Sequence, residues 1–351
     1  MREEAAATAM SDRDDVALLE KAAETSGRLR GEIGRVIVGQ DEVVRLLLAA
    51  VLAEGHALVI GVPGLAKTLL VRTLAGALGF GFKRIQFTPD MMPADIIGME
   101  MLEEGDGVGG EGGGRGGRVW RFREGPLFSQ MVLADEINRT PPKTQAALLE
   151  AMAERTVTSM GRTHEMGRPF MVVATQNPIE QEGTYPLPEA QLDRFMFSLN
   201  VGYPGRAEEE AIVAATTDER EAAVEAVTDS AAMVELAGLV RRVPASAHVM
   251  GYAVGLARAT RPDDETAIGA VRDYVEWGAG PRAAQHLVLA GKALAAMDGR
   301  PAVGADHIRE AAGAVLGHRV LVNYRAAGEG VKAADVIGRV LDEVGEPEYG
   351  P

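Results

Sequence analysis

The stretch Leu58-Val59-Ile60-Gly61-Val62-Pro63-Gly64-Leu65-Ala66-Lys67-Thr68 constrains this chain more than any other. An apolar run ends in a glycine-bearing turn, and Lys67-Thr68 then open a helical pattern through Leu69, Leu70, Thr73, Leu74 and Leu78. Strand, glycine loop and helix, in that order, form the context that a phosphate-binding loop requires. The N–H groups of such a loop point at an anion, and the helix N-terminus adds partial positive charge. On this reading Lys67 reaches the β- and γ-phosphates of a nucleotide, and the Thr68 hydroxyl holds Mg²⁺. The usual pattern has glycine before the lysine, where this chain has Ala66. That position opens a helix, where φ is negative, so the sequence predicts that its Cβ is tolerated. For this segment alone, a glycine-rich strand–helix turn without a ligand is the plain alternative.

The chain has 351 residues, which suggests about two domains, each large enough to bury a core. It has no cysteine, which excludes a disulfide scaffold and cysteine-based metal sites. The start, Met1-Arg2-Glu3-Glu4-Ala5, is acidic and no apolar run follows it, unlike a secretory signal. The most apolar segment, Val43 to Ala53, is broken by Arg45 and is too short to span a bilayer. The expectation is a soluble cytoplasmic protein with no transmembrane segment. The net charge of −15 argues against a broad nucleic-acid surface, though not against a local basic patch.

Residues 1–30 are rich in Ala, Glu and Asp and read as a leading helix. Val36-Ile37-Val38-Gly39-Gln40 is a short apolar segment with a turn, and a helix follows from about Asp41, its expected N-cap, to Glu54. Arg84 to Thr88 alternates like a strand and stops at Pro89. Residues 95–127 are least regular and read as two strand pieces joined by a glycine-dense tip, Gly105 to Gly117. Met131 to Ala134 and Met171 to Ala174 are buried strands, Pro141-Pro142 opens a helix, 155–168 forms a hairpin, and Phe195 to Leu199 is a last strand. This alternation implies a parallel sheet covered on both faces, an α/β fold. The boundary falls at Tyr203-Pro204-Gly205-Arg206, giving a sheet domain over 1–203 and an all-helical domain over 204–351.

Asp135 and Glu136 follow four apolar residues at the C-terminal end of a strand, where open α/β sheets bind ligands. An aspartate there shares a Mg²⁺ shell with Thr68, and the adjacent glutamate activates a water. Asn177 ends the second buried strand; it suits a turn before Pro178 as well as it suits orienting that water. Arg194 has Asp193 and Glu189 as local partners, or it acts as an arginine finger in a neighbouring subunit. Arg282 opens a helix, where a cation opposes the dipole, which hints at a use elsewhere.

Together these residues resemble the AAA+ ATPases and, within them, the MoxR family. The resemblance rests on Val38-Gly39-Gln40, Gly61 to Thr68, Ala134-Asp135-Glu136-Ile137-Asn138-Arg139, Pro141 to Gln145, Leu148 to Met152, Ala174 to Pro178, Leu187 to Phe195 and Trp277 to Ala283. It covers about Val36 to Leu341, and Ala in place of Gly at Ala66 matches this family. It implies an αβα nucleotide-binding domain followed by a helical lid, with ATP and Mg²⁺ as cofactors. Val38, Gly39 and Gln40 would lie against the adenine, while Gly61, Pro63, Gly64, Leu65, Ala66, Lys67, Thr68 and Leu69 would wrap the phosphates. Thr68 and Asp135 would hold the metal, with Lys67 and Thr68 the Walker A pair and Asp135 and Glu136 the Walker B pair. Asn177 would be sensor 1, Arg194 the arginine finger and Arg282 sensor 2. The 155–168 hairpin looks like the pre-sensor 1 insertion, and 95–127 looks like the helix-2 insert. The resemblance further implies a ring, a hexamer by family, acting as a chaperone-like remodeller of a protein client with a von Willebrand factor A domain partner. A magnesium chelatase-type subunit, a nucleic-acid-remodelling motor, a small-molecule kinase and a non-catalytic nucleotide switch are the other readings.

Replacing Lys67 by alanine should cost the chain its nucleotide affinity. Equilibrium binding of labelled ATP checks this, and an unchanged affinity contradicts the phosphate-loop assignment.

Overall fold

The structure is a computed structural model that describes residues 13–104, 118–159, 161–179, 183–217 and 223–346. The glycine-dense tip expected over Gly105 to Gly117 and the first twelve residues of the leading helix lie outside the described residues. The chain enters as α1 (Arg13–Gly34) and α2 (Asp41–Leu52), then β1 (Ala57–Ile60), α3 (Lys67–Ala77) and β2 (Phe82–Gln86). Next come α4 (Pro93–Ile97), β3 (Gly98–Glu104), β4 (Arg118–Glu124), β5 (Met131–Asp135) and α5 (Pro142–Glu154). The hairpin β6 (Thr156–Ser159) and β7 (Arg162–Glu165), then β8 (Met171–Gln176), α6 (Glu189–Leu192) and β9 (Phe197–Asn200), complete the first half.

Five strands pair in parallel in the order β2-β5-β8-β1-β9. Side chains alternate between the two faces, as a pleated strand requires. Ala57, Val59, Met131, Leu133, Met171 and Val173 enter one core with α1, α2 and α3. Leu58, Val132, Ala134, Val172 and Ala174 enter the other with α5. Both faces are therefore covered, which is why these strands read as continuous apolar runs. Asp41 is not the N-cap expected of it. The capping position is Gln40, in the left-handed conformation, and Asp41 lies in the first turn, where its charge favours the helix dipole.

Two hairpins leave this sheet. β3 and β4 pair antiparallel from Gly98↔Glu124 to Glu104↔Arg118, as the sequence predicts. β6 and β7 pair from Thr156↔Glu165 to Ser159↔Arg162. The two hairpins touch: Phe122 stacks on His164 with ring centroids 3.7 Å apart, and Arg162 lies 3.8 Å from Glu100.

The second half comprises α7 (Arg206–Thr217), α8 (Ser230–Arg242), α9 (Ala247–Ala259), α10 (Gly269–Tyr274), β10 (Val275–Trp277), α11 (Pro281–Met297), α12 (Ala305–Leu316), β11 (Leu321–Val322), α13 (Tyr324–Glu329) and α14 (Ala333–Glu343). It is helical except for the short antiparallel pair β10–β11. Within that half the residue pattern predicts one unbroken helix over 267–277; it stops at Tyr274, because Val275 turns extended and pairs with Val322. Leu236, Leu239, Leu287 and Leu294 join the same core as α1 and α2, so the two halves share apolar packing. Arg45 of α2 reaches across, forking onto Asp298 at 2.9 Å and onto Glu310 at 2.5 Å. No helix among the described residues is long and apolar enough to cross a membrane.

His56, just before β1, is buried between the sheet and α5. Its Nδ1 accepts from the Val172 N–H at 3.0 Å, so its Nε2 carries the proton and donates to the Met152 carbonyl at 3.2 Å. Burial pushes its pKa down to about 4, and the Arg155 charge acts in the same direction. A histidine held neutral stabilises the fold fully above its unfolded pKa, near 6.5, and that stability is lost as pH falls toward about 4. His56 alone should remove about 3 kcal/mol over that window. The urea-unfolding midpoint should therefore hold level down to about pH 6.5 and then drop; a midpoint level to pH 4.5 contradicts this account.

Candidate nucleotide site

The parallel register gathers the chemistry at one end of the sheet. β1, β5 and β8 all finish there, so Gly61, Asp135 and Asn177 are neighbours although 116 positions separate the first from the last in the 351-residue chain. A cavity of about 350 Å³ is lined by Pro63, Gly64, Leu65, Ala66, Lys67, Thr68, Asp135, Glu136, Thr175 and Asn177. Two further cavities, of about 420 and 500 Å³, lie around Trp277 in the second half and share none of these residues.

The loop after β1 turns through Gly64, with φ 87°, and Ala66, with φ 54°. The expectation of a negative φ at Ala66 is overturned. The chain must reverse direction between strand and helix, and a left-handed residue there aims successive N–H groups at one point, the nest that binds anions. An L-residue adopts this conformation at a cost of about 1–2 kcal/mol, so the alanine sits strained where glycine would not. Gly61 is a glycine for a different reason: a Cβ would lie 2.8 Å from the Val201 carbonyl. The first N–H groups of α3 have no partners inside the helix and face the loop. Lys67 Nζ donates to the carbonyls of Gly61 and, at 3.0 Å, of Val62. Burial lowers its pKa, and the charges of Asp135 and Glu136 oppose that shift.

Asp135 is 7% exposed and its two oxygens are held separately. Thr175 donates to Oδ1 at 2.6 Å, and Arg84 of β2 donates to Oδ2 through Nε at 3.0 Å and Nη2 at 2.6 Å. The Thr175 hydroxyl also accepts the Glu136 N–H at 2.9 Å. Glu136 turns left-handed, φ 58°, which swings its side chain off the strand. Gln86 at 2.9 Å and Arg139 at 3.0 Å both donate to its Oε2, leaving Oε1 as the oxygen able to take a proton. Asn177 is buried; its Oδ1 accepts the Ile179 N–H at 3.1 Å, and its Nδ2 is buried with no acceptor among the described residues. A buried amide donor without a partner is costly, and an acceptor entering the cavity would relieve it. An anionic nucleotide tail therefore fits the donor set present here.

Val38, Gly39 and Gln40 lie in the turn before α2, with Gly39 and Gln40 both left-handed. Segment 201–208 joins them to the loop: Val201 touches Gly61, and the Glu208 carboxylate packs so close to Gly39 that a Cβ would lie 2.4 Å from it. Leu65 and Leu69 pack their side chains against the core beneath the loop.

Arg194 and Arg282 belong elsewhere. Phe197 of β9 pairs with Ala57, the first residue of β1, whereas the phosphate loop follows Ile60, the last. A four-residue strand separates its ends by about 10 Å, so Arg194, upstream of Phe197, stands at the opposite end of the sheet. Its guanidinium donates to the Leu149 carbonyl, rather than pairing with Asp193 or Glu189. Asp193 accepts instead from Arg282 at 2.9 Å and from the buried Arg319 at 2.7 Å. The Arg282–Asp193 pair answers the misfit of a cation in the first turn of α11.

Sequence reasoning missed Thr175, Arg84, Gln86, Arg139 and Arg319. A single polar residue at period two inside the apolar run Met171 to Ala174 and beyond is the one signal for Thr175. Arg139 stands three residues from Glu136, a local spacing that could have marked it; nothing local marks Arg84, Gln86 or Arg319, because the acids they reach are distant in sequence.

Comparison with known proteins bears directly on this site. The pattern of the ATPase family associated with various cellular activities (AAA) matches residues 56–197, and that of the AAA lid domain matches 269–340. The chain is 41% identical to Chaperone MoxR1 of Mycobacterium tuberculosis, over 90% of this chain and 81% of that one. It belongs to the MoxR family of AAA+ ATPases. It is also 32% identical to Protein MoxR of Methylorubrum extorquens, over 87% and 90% of the two chains. The crystal structure of a candidate ATPase from Cytophaga hutchinsonii superposes with a TM-score of 0.81 at 38% identity, covering 94% of this chain and 99% of that one. The expected fold class, an AAA+ parallel-sheet domain followed by a lid domain, holds.

Within this MoxR-family site Thr175 is the testable hinge. Thr175→Val keeps the shape but strips a buried carboxylate and a buried N–H of their partner. It should destabilise the chain by about 1–3 kcal/mol and lower ATP turnover, whereas Thr175→Ser should restore both. Urea unfolding and phosphate release measure the two effects.

Proposed function

We propose that this chain hydrolyses ATP with Mg²⁺ in a ring of identical subunits, each site being completed by Arg194 and Arg282 of a neighbour. The observation that carries this reading is the strand register: Arg194 lies at the N-terminal end of the sheet, opposite its own phosphate loop, and Arg282 shares Asp193 beside it. Neither arginine stands at its own phosphate loop from there. A surface that gives its arginines to a different surface on the next copy makes a heterologous interface, and such interfaces close into rings. The family suggests six subunits.

In this scheme Lys67 and the N–H groups opening α3 bind the phosphates, while Val38, Gly39 and Gln40 take the adenine. Thr68 and Asp135 would hold Mg²⁺ through their oxygens, and the ion would supply positive charge that offsets the phosphates. Glu136 accepts the proton of the attacking water on Oε1, and the Asn177 amide orients that water. Arg194 from the neighbour offsets the charge that develops on the transferred phosphoryl group, an effect on the order of 10³–10⁵ in rate. Residues 1–203 form the ATPase domain and 204–351 the lid. The paired hairpins at 95–127 and 155–168 carry the movement to a protein client, with exposed Met99, Met101 and Trp120 as contact side chains. A chaperone-like role accords with the relative named Chaperone MoxR1; a von Willebrand factor A domain partner is what the family resemblance suggests. Nucleic acid is not the expected client at a net charge of −15.

Arg194→Ala and Glu136→Gln should each bind ATP and turn over none. Mixed one to one, they should recover activity at on the order of a quarter of the interfaces, where an intact Glu136 meets an intact Arg194. No recovery on mixing, together with a wild-type specific activity independent of protein concentration, would sink the shared site.

A further inference from the structure

Asp135 keeps a resident cation of its own. Arg84 lies on β2, the edge strand, on the face of the sheet that also carries Asp135 and Thr175. Both of its bonds end on Oδ2, the carboxylate oxygen that Thr175 does not take. The two partners differ in their access to water: the Asp135 side chain is 10% exposed and that of Arg84 48%. Leaving the pair therefore costs them unequally. The guanidinium regains water as soon as it swings outward, whereas the carboxylate left behind is a buried charge that has lost its hydrogen-bonded counterion, Lys67 acting on it through its charge. Such a pair comes apart readily only when another cation takes the arginine's place.

Arg84 also reaches the second acid. Its Nη2 donates to Gln86 Oε1, which turns the amide so that Nε2 donates to Glu136 Oε2. Thr175, Asp135, Arg84, Gln86, Glu136 and Arg139 thus form one unbroken chain of hydrogen bonds. Displacing Arg84 frees Oδ2 of Asp135 and removes the group that orients the Gln86 amide.

We propose that Arg84 is a displaceable counterion of Asp135, a positioning residue that holds the carboxylate until a divalent cation replaces it. The proposal rests on the reading of this cavity as a Mg²⁺–nucleotide site. It makes arginine and metal competitors for one oxygen, so the protein sets its metal affinity below what the bare carboxylate would give. Metal binding is thereby coupled to the Gln86–Glu136 contact.

Competition has a signature that a merely structural pair lacks: removing the arginine should tighten metal binding. Mn²⁺ is the probe, and the loss of its free electron paramagnetic resonance signal is titrated against the nucleotide-free full chain. Arg84→Ala should bind Mn²⁺ about three- to tenfold more tightly than wild type. Arg84→Lys, which keeps the charge, should stay near wild type. The gain should vanish in Arg84→Ala combined with Asp135→Asn. The idea is overturned if Arg84→Ala binds Mn²⁺ equally or more weakly, if neither protein binds detectably, or if the gain survives the loss of Asp135. Fluorescent-ATP binding by wild type, run alongside, separates the two levels. If wild type binds nucleotide normally while Mn²⁺ affinity ignores Arg84, only this proposal fails; if wild type binds no nucleotide, the reading of the site fails with it.

Discussion

A carboxylate at the end of a buried strand cannot stand alone, and the pairing of Asp135 organises the rest of the site. The strand that carries it is buried along its length, so the carboxylate faces open space only at the cavity. Its partners must come from the flanking strands: Thr175 from β8 on one side, Arg84 from β2 on the other. Parallel pairing makes this workable, because equivalent strand ends lie side by side. The same hydroxyl that satisfies Asp135 accepts the Glu136 N–H and so supports the left-handed turn that lifts Glu136 away from the sheet. One buried threonine thereby holds both acids, one by its charge and the other by its backbone.

The second half of the chain is tied to the sheet from both directions. Arg45 of α2 forks onto Asp298 and Glu310 of the lid region. Arg319 of the lid region is nearly buried and donates to the Asp193, Phe195 and Met196 carbonyls that lead into β9. Around Arg319, burial and the arginine's own charge push His286 and His318 down to about 3, so both stay neutral and His286 Nδ1 accepts from the guanidinium at 2.8 Å. These contacts converge on Asp193, next to Arg194. A shift of the lid would therefore be felt first at the segment that carries the arginine finger in the proposed ring.

Much of this was legible beforehand, for local reasons. Strand, loop and helix around Gly61 to Thr68, the acids after β5 and the amide after β8 each declare themselves within about ten residues, because apolar runs and their punctuation encode them. The helix boundaries of the second half mostly follow from Pro and Gly in the same way. Ala66 is instructive because the motif was legible while its backbone was misread: the chain's need to reverse there overrides the steric preference of an alanine. The helix over 267–277 was overextended because Val275 is extended only by pairing with Val322, nearly fifty residues downstream.

The amino-acid sequence by itself determined the order of elements, the αβ character of the first half and the identity of the phosphate-loop and acidic residues. These depend on periodicity and on turn chemistry, which act between near neighbours. Only the tertiary structure decided that Asp135 is shared between Thr175 and Arg84, that Glu136 answers to Gln86, and that Arg282 and Arg319 meet at Asp193, beside Arg194, at the far end of the sheet from the loop. The reason is register. Which side chains stand opposite one another across strands is set by the packing of both sheet faces at once, and no window of contiguous residues contains that information.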